Sequence, residues 1–448
     1  MTDPMLFTMP EIAAVFSAEA HVRQMLAFEA ALAQAEADVG LIPLAAAHAI
    51  AAQCRVELFD VAQIYRDAGA ASTPAIPLVR MLTERVDADA RKFVHWGATS
   101  QDAIDTALAL QMRTGLDLVI TELLGLCAGC ADLALQHRRT LMAGRTLLQQ
   151  ALPITFGLKA ARWLALVARQ VRELRERRDR SVAVQLGGAA GTLAALGDAG
   201  LRVAERVAAE LGLAMPDLPW HAERDRVAAI AATLGITASA MAKIAGDIAL
   251  LAQTEVGEVA EAAAPGKGGS SAMPQKHNPV DAIGALAAAR LALGLVPVIM
   301  SAAPQEHERA VGGWQAEWAA IPDLFRSTFS AVAHARRAVH GLQIDPKRMR
   351  ANLDLGGGLV MAEALTMALA PQVGRPEAQR IVQAVCARAV AAGLSLRQAA
   401  LDDAHIRAML APDALERAID PAAYLGSTDA LIDRALETYR TIQPADQA

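Results

Sequence analysis

One segment concentrates side chains that can move protons and bind anions. It reads Pro265-Gly-Lys-Gly-Gly-Ser-Ser-Ala-Met-Pro-Gln-Lys-His-Asn-Pro279, and its glycines and prolines exclude a continuous helix. Ser270 and Ser271 provide hydroxyl groups, and Lys267 and Lys276 can neutralise carboxylates. Mobile loops on rigid scaffolds often carry chemistry, so a functional loop is favoured over a plain linker.

Other motifs of familiar spacing carry less chemistry. Cys127-Ala-Gly-Cys130 has the spacing of a redox motif, but it lies in a helical stretch with no strand before it. Gly187-Gly188-Ala-Ala-Gly191 lacks the acidic partner of a dinucleotide fingerprint, and a tight turn between helices is the better interpretation. The histidines form no pair at metal-binding spacing. The sequence therefore predicts neither a metal site nor a cofactor site.

Long helices must position the predicted loop. Most of the chain is rich in alanine and leucine and lacks the alternation of strands. Polar residues at 99–102, followed by Ile104, Leu108 and Met112 at helical spacing, predict a helix that begins there. Further long helices are predicted at 156–181, 223–262, 280–302 and 315–341. We therefore predict an all-α fold with a central bundle of long helices.

Breaks in the helical pattern divide the chain into three parts. The first break is at Gly97-Ala-Thr99, and the second runs from Gly341 to Pro346, before a segment of shorter helices. The predicted domains are an N-terminal helical domain at 1–98, a central long-helix domain at 99–342 and a C-terminal helical domain at 343–448.

Composition excludes several classes of protein. The 448 residues are 54% hydrophobic and 4% aromatic, and 42 basic against 48 acidic side chains give a formal charge of −6. A chain of this length buries a large core without disulfides. Because it has no basic surplus and few aromatic rings, nucleic acid is not an expected partner.

The chain is expected to be a cytoplasmic protein with no membrane attachment. Its four cysteines suit a reducing compartment, and its N-terminal residues lack the pattern of a signal peptide. The apolar segment Ala282–Pro304 carries Arg290 near its middle, where a bilayer would impose a cost of about 2.5–3.5 kcal/mol. A buried helix of a soluble protein is the prediction for this segment.

The functional loop resembles a known signature. Gly-Ser-Ser-Ala-Met-Pro-Gln-Lys-His-Asn-Pro at 269–279 is similar to the signature loop of the fumarase/aspartase superfamily, which includes argininosuccinate and adenylosuccinate lyases. The stretches 95–106 and 144–149 resemble its other two signature regions in the expected order. The resemblance covers nearly the whole chain. It implies an all-helical, three-domain homotetramer with active sites shared between subunits, and anti elimination or addition beside a carboxylate.

Within that superfamily the chain resembles the 3-carboxy-cis,cis-muconate cycloisomerase branch. The stretches that carry this resemblance are 75–79, 94–103, 251–258, 304–309, 352–355 and 420–426. Lyases usually have a general-acid histidine where Leu147 stands, and adenylosuccinate lyases have Arg-His-Asp where this chain reads Ser72-Thr-Pro-Ala75. After His307-Glu-Arg309 those lyases continue with serines and an arginine suited to a nucleotide phosphate, whereas this chain has Ala310-Val-Gly-Gly313 and Trp318. Gln150 and His277 depart from the cycloisomerase pattern, so an altered substrate preference is possible.

The branch implies lactonisation of a small tricarboxylate in protocatechuate catabolism. A substrate carboxylate, already ionised, adds to a double bond, so no leaving group needs a proton and the histidine replaced by Leu147 is not required. Only the α-carbon must then be protonated. The resemblance implies that Ser270 handles this proton and that Lys276 stabilises the serine oxyanion.

The resemblance also implies a set of substrate-binding residues. They are Thr99, Ser100, Arg145, Thr146, Gln149, Ser271, Asn278, His95, Gln253 and Arg309. Arg309 could equally belong to a structural ion-pair cluster with Glu306 and Glu308. Two other functions stay open: a superfamily lyase that releases fumarate from adenylosuccinate or argininosuccinate, and a structural homologue without catalytic activity.

Overall fold

Helices dominate the part of the chain that this computed structural model describes, which is residues 9–263, 267–269 and 272–443. The α-helices are α1 Pro10–Val15, α2 Ala18–Asp38, α3 Leu44–Gln53, α4 Val61–Ala71, α5 Ala75–Arg85, α6 Ser100–Gln136, α7 Phe156–Ser181, α8 Gly200–Leu211, α9 Asp225–Ala252, α10 Val280–Ala302, α11 Gly313–His340, α12 Pro346–Asp354, α13 Ala362–Val373, α14 Arg375–Ala392, α15 Leu396–Asp402, α16 Ala404–Met409, α17 Pro412–Ile419 and α18 Thr428–Arg440. The predicted all-α class is confirmed.

The predicted long helices are found, with one clear difference in length. Helix α6 begins at Ser100, and α7 and α10 have the predicted bounds. Helix α9, predicted to run to residue 262, ends at Ala252. The chain turns there because the amides of Val256 and Gly257 both donate to the carbonyl of Gln253, and Gly257 has a positive φ of 59°.

Two small antiparallel sheets interrupt the helices. Strands β1 Leu141–Thr146 and β2 Gln149–Thr155 form a hairpin in which Thr146 pairs with Gln149. Its two-residue turn, Leu147-Leu148, has positive φ at both positions, the geometry of a type I′ turn. Strands β3 Val259–Glu261 and β4 Leu342–Ile344 form the second pair. The sequence pattern did not predict these strands.

Contacts within the chain group it into two units. The first unit consists of Met1–Leu123, Arg169–Lys243 and Gly284–His334, and the second of Leu124–Ala168, Ile244–Ile283 and Ala335–Ala448. The dividing points fall inside α6, α7, α9, α10 and α11. The three domains bounded at residues 98 and 342 stay a prediction.

Helix α6 packs closely in the first unit. Ile104, Leu108 and Met112 are buried, as their spacing predicted. A methyl group at Gly115 would lie 2.8 Å from the ring of Phe325 on α11, so only glycine permits this approach. The same helix continues through Cys127, where burial raises the pKa of the free thiol to about 12. That burial disfavours the reactive thiolate.

Among the described residues, three helices are apolar enough to span a membrane by length and composition alone: α6, α9 and α10. In α6 and α9 more than half of the most apolar window is buried within the chain, whereas in α10 the share is 33%. The burial predicted for this helix is therefore not reached inside one chain. The large apolar side chains left exposed along α10 are Ile283, Leu291, Leu293, Val298 and Met300, and Arg290 is exposed among them.

Candidate active site

In the first unit, a buried carboxylate organises the start of α6. Asp102 accepts hydrogen bonds from the amide of Thr99 at 3.0 Å and from the amides of Gly187 and Gly188 at 3.0 and 2.9 Å. Nε2 of the buried His221 lies 2.7 Å from the same carboxylate. The glycine turn thus serves to approach and bind an internal acid, which fixes the geometry of the helix start.

Thr99 and Ser100, both predicted to bind substrate, lie partly exposed at this helix start. Arg309 joins them, because its guanidinium donates to the Thr99 hydroxyl at 3.1 Å and to the carbonyl of Ala189 at 3.1 Å. A guanidinium beside the unpaired amides of a helix N-terminus suits a carboxylate ligand. Three predicted substrate-binding residues are therefore brought together here.

His95 lies in the same unit and contacts a buried acid. Its Nδ1 is 2.6 Å from Oε1 of Glu29, a side chain that is 1% exposed. Burial lowers the pKa of His95, but the charge and hydrogen bond of Glu29, together with the charge of Asp102, give a net upward shift. The imidazole is thereby biased toward its charged form.

A fully buried ion network surrounds the next turn of α6. Arg224 binds Asp105 at 2.7 Å and Glu317 at 2.5 Å, and none of the three side chains is exposed. The carboxylate of Asp105 also accepts hydrogen bonds from the indole N–H of Trp314 at 3.0 Å and from the side-chain amide of Gln101 at 2.9 Å. This network anchors the helix that presents Thr99 and Ser100.

In the second unit, the hairpin meets two other segments at Glu258. Arg145 forms a bidentate ion pair with the buried Glu258, with N–O distances of 2.6 and 2.9 Å. Asn352 donates to the same carboxylate at 2.9 Å, and Gln150 donates to the backbone carbonyl of Asn352 at 2.7 Å. The carboxylate of Glu258 thus binds the guanidinium of Arg145, which the sequence analysis predicted to bind substrate. Substrate binding by Arg145 stays a prediction.

The tip of this hairpin is exposed and apolar. Leu147 is 97% exposed, and Thr146 and Gln149 beside it are also exposed. Gln253, at the end of α9, is exposed as well. These predicted substrate-binding side chains face solvent in the single chain, so a role in binding would need further partners.

The signature loop is anchored at its base. The amide of Asn278 donates to the carbonyl of Gly268 at 2.9 Å, and Nζ of Lys267 lies 2.7 Å from the carboxylate of Asp281 on α10. Gly268 has a φ of +72°, and a methyl group there would lie 2.8 Å from the Asn278 carbonyl oxygen. Lys276 is exposed. The predictions for Ser270 and Ser271 lie outside the described residues.

A cavity of about 590 Å³ lies in the first unit. Phe16, Ile104 and Leu108 are among its apolar walls, and Ser72, Thr73 and Trp318 also line it. Among the described residues that line it there is no lysine, arginine, aspartate or glutamate. Its one histidine, His21, is neutral at pH 7 because burial lowers its pKa to about 4.

Several residues of these clusters escaped prediction. Glu258 and Asn352 lie in stretches that carried the branch resemblance, so a signal existed although no role was assigned to them. Nothing in the sequence pattern distinguished Glu29 or His221 from ordinary helix and loop residues. Their importance follows only from the partners they meet.

Comparison with known families now identifies the chain. Residues 6–292 match the family described as "Lyase", and residues 358–435 match the family described as "Adenylosuccinate lyase C-terminus". The chain belongs to the fumarase/aspartase superfamily. The resemblance drawn from the three signature regions is therefore confirmed.

Individual superfamily members are similar over nearly their whole length. The 3-carboxy-cis,cis-muconate cycloisomerase of Pseudomonas aeruginosa is 46% identical over 432 residues, which cover 96% of this chain and 94% of that protein. The enzyme of the same name from Bradyrhizobium diazoefficiens is 47% identical and covers 93% of each chain. The crystal structure of the 3-carboxy-cis,cis-muconate lactonizing enzyme from Pseudomonas putida superposes with a TM-score of 0.93, at 43% identity and 98% coverage of both chains.

Proposed function

We propose that this chain catalyses the lactonisation of 3-carboxy-cis,cis-muconate to 4-carboxymuconolactone. Full-length relatives that carry this name at 46–47% identity support the assignment. The single structural observation that carries it is Leu147 at the exposed tip of the hairpin. A leucine cannot protonate a leaving group, and lactonisation has no leaving group to protonate.

The residues at 72–75 argue against a nucleotide substrate. This chain reads Ser72-Thr-Pro-Ala75 where adenylosuccinate lyases have Arg-His-Asp, and Ser72 lines the cavity of the first unit. The charged side chains of that motif are therefore replaced by uncharged residues. A fumarate-releasing lyase acting on adenylosuccinate is therefore the weaker candidate.

The proposed reaction balances without a cofactor. One substrate carboxylate forms a C–O bond to the double bond, and the π electrons move toward the neighbouring carboxylate as an aci-carboxylate. The α-carbon then takes a proton, which we assign to Ser270, with Lys276 stabilising the serine oxyanion. Overall, a trianion consumes one proton and becomes a lactone with two carboxylates.

The three carboxylates of the substrate require several donors. We assign them to Thr99, Ser100 and Arg309 at the start of α6, and to Asn278 and Ser271 of the loop. His95, Arg145, Thr146, Gln149 and Gln253 complete the proposed set. Helix N-terminal amides and a guanidinium are suited to carboxylates.

We also propose that the enzyme works as a cytoplasmic homotetramer with shared active sites. The large apolar side chains that α10 leaves exposed in one chain support this, because association of subunits can remove such side chains from water. The four free cysteines are compatible with a reducing compartment. Light scattering should give a tetramer, and a stable monomer would contradict the proposal.

An ultraviolet assay with two substrates tests the reaction. The enzyme should remove the diene absorbance of 3-carboxy-cis,cis-muconate and take up one proton per turnover in weak buffer. Adenylosuccinate should stay unchanged in the same preparation. Fumarate release from adenylosuccinate would overturn the assignment, and inactivity toward both substrates would favour the structural homologue.

The role of Ser270 has its own test. Ser270→Ala should abolish turnover while the substrate still binds, as measured by calorimetry. Thr438→Ala, which removes a hydroxyl that bonds only within α18, serves as the control and should leave the rate near that of the wild type. Near-normal turnover by Ser270→Ala would reject the assigned role.

A further inference from the structure

His95 is held in an unusual backbone conformation. Its φ is +56°, in the left-handed region that few side chains adopt. This conformation brings Nδ1 to 2.6 Å from Oε1 of Glu29 on α2. Since Nδ1 faces Glu29, Nε2 is the ring nitrogen that can reach a second partner.

The protonation state of His95 decides what Nε2 can do. With Nδ1–H donating to the carboxylate, a neutral imidazole has a bare lone pair on Nε2. That lone pair repels a substrate carboxylate. A protonated ring instead presents an Nε2–H and a positive charge, which give a charge-assisted hydrogen bond.

The charged groups that face His95 favour the protonated form. Burial lowers the pKa of His95, but Glu29 and, more weakly, Asp102 raise it to a net upward shift. Two more titratable groups lie near Glu29. Burial raises the pKa of Glu36 to about 9 and also raises that of the Cys54 thiol, so both are neutral at pH 7. Glu29 is therefore the main source of the negative charge that His95 meets.

We propose that Glu29 is a positioning residue that keeps His95 protonated, so that Nε2–H binds a carboxylate of the substrate. The inference rests on the proposed function. Glu29 is 1% exposed and so does not itself reach the substrate. Glu29 affects binding by favouring the charged form of the His95 ring. Removing the charge of Glu29 should therefore change how substrate binding depends on pH.

The sign of the pH effect follows from the raised pKa. A histidine with a raised pKa keeps its charge as the pH increases, and it loses the charge only above that pKa. Substrate binding should therefore weaken as the pH rises through this raised pKa. Without the Glu29 charge, this loss should occur at a lower pH.

The variant Glu29→Gln tests this directly, since glutamine keeps the shape and an acceptor oxygen but removes the charge. The fall of kcat/KM at high pH should begin at a lower pH than in the wild type, so that kcat/KM measured at a fixed alkaline pH is lower in the variant. The change should lie in KM more than in kcat. Glu29→Asp keeps the charge and should restore the pH at which this fall begins.

Glu36→Gln is a matched control. Glu36 is equally buried and lies on the same helix, but it is neutral at pH 7. This variant should leave the pH profile unchanged. An unshifted profile in Glu29→Gln, or equal shifts in both glutamine variants, would overturn the proposal.

A second measurement separates this inference from the proposed function. If wild-type enzyme does not lactonise carboxymuconate, the function fails while the Glu29–His95 pair can still be tested. NMR titration of protein labelled at the histidine Cε1 carbons, with the His95 signal assigned by His95→Asn, should show a lower midpoint in Glu29→Gln. The same midpoint in wild type and variant would overturn the inference whatever the substrate.

Discussion

Removing Arg224 should destabilise the protein, because two buried carboxylates would lose the cation that neutralises them. Its guanidinium binds Asp105 at 2.7 and 3.2 Å and Glu317 at 2.5 and 3.1 Å, and all three side chains are fully buried. Arg224→Met keeps most of the volume but removes the charge. Asp105 would retain its bonds from Gln101 and Trp314, whereas Glu317 would retain, among the described residues, the hydrogen bond from the side-chain amide of Gln305 at 3.1 Å.

The expected size of the effect follows from that geometry. Breaking a buried ion pair by removing one partner costs about 3–5 kcal/mol. With an unfolding entropy of about 2.1 cal/mol/K per residue over 448 residues, this corresponds to a decrease in Tm of about 3–5 °C. Thermal unfolding followed by circular dichroism measures it.

The loss should depend on pH. Burial already raises the pKa of Glu317, and Arg224 lowers it, so the methionine variant should raise this pKa further. A carboxyl whose pKa is raised by folding begins to cost stability as the pH rises above its unfolded-state pKa, and the full cost is reached above the folded-state pKa. Arg224→Met should therefore lose more stability at pH 8 than at pH 5, since protonation of Glu317 at lower pH removes the cost of its unpaired charge.

A neighbouring arginine provides the control for this experiment. Arg226, in the first turn of α9, is partly exposed and donates to the carbonyl of Arg180, so Arg226→Met should change stability by less than about 0.5 kcal/mol. The reasoning is refuted if Arg224→Met unfolds at the wild-type temperature. A loss of equal size at pH 5 and pH 8 would also refute it.

Two further substitutions probe the packing and the second cluster. Gly115→Ala places a methyl group 2.8 Å from Phe325 and should cost about 1–3 kcal/mol in chemical denaturation, whereas Gly246→Ala, with no atom within 4 Å of the new methyl group, should cost nothing. Equal stability of the two variants would contradict the packing argument. Arg145→Lys loses the bidentate pair with Glu258 and should lower kcat/KM by about 10- to 100-fold, since a bond to a charged group is worth about 1.5–3 kcal/mol. Wild-type kinetics in this variant would show that a point charge suffices there.

The long helices could be predicted because their signal is local. Apolar residues at helical spacing and polar starts specified α7 and α10 to the residue and α6 to its first turn. The end of α9 was missed because a turn at Gly257, rather than a change in composition, stops that helix. The hairpin was missed because its short strands lack alternation and are joined by two leucines, which are rare in a type I′ turn.

The residue types of the candidate site could be predicted from the sequence, but the contacts between its side chains could not. The signature loop and the start of α6 are short continuous stretches of sequence, so the functional side chains that they contain could be predicted from the sequence alone. The bidentate pairing of Arg145 with Glu258 could not, and it changes how that arginine is available to a ligand. The cavity lined by Ser72 and Trp318 likewise joins residues distant in sequence.

By itself the sequence determined the superfamily, the helical class and the side chains available for chemistry, since motifs and periodicity are properties of neighbouring residues. Only the tertiary structure decided which of them meet. Glu29 is separated from His95 by 66 positions, Asp102 from His221 by 119 and Arg145 from Glu258 by 113. Folding brings each pair into a buried environment, and there a carboxylate acts on its partner far more strongly than it could in water.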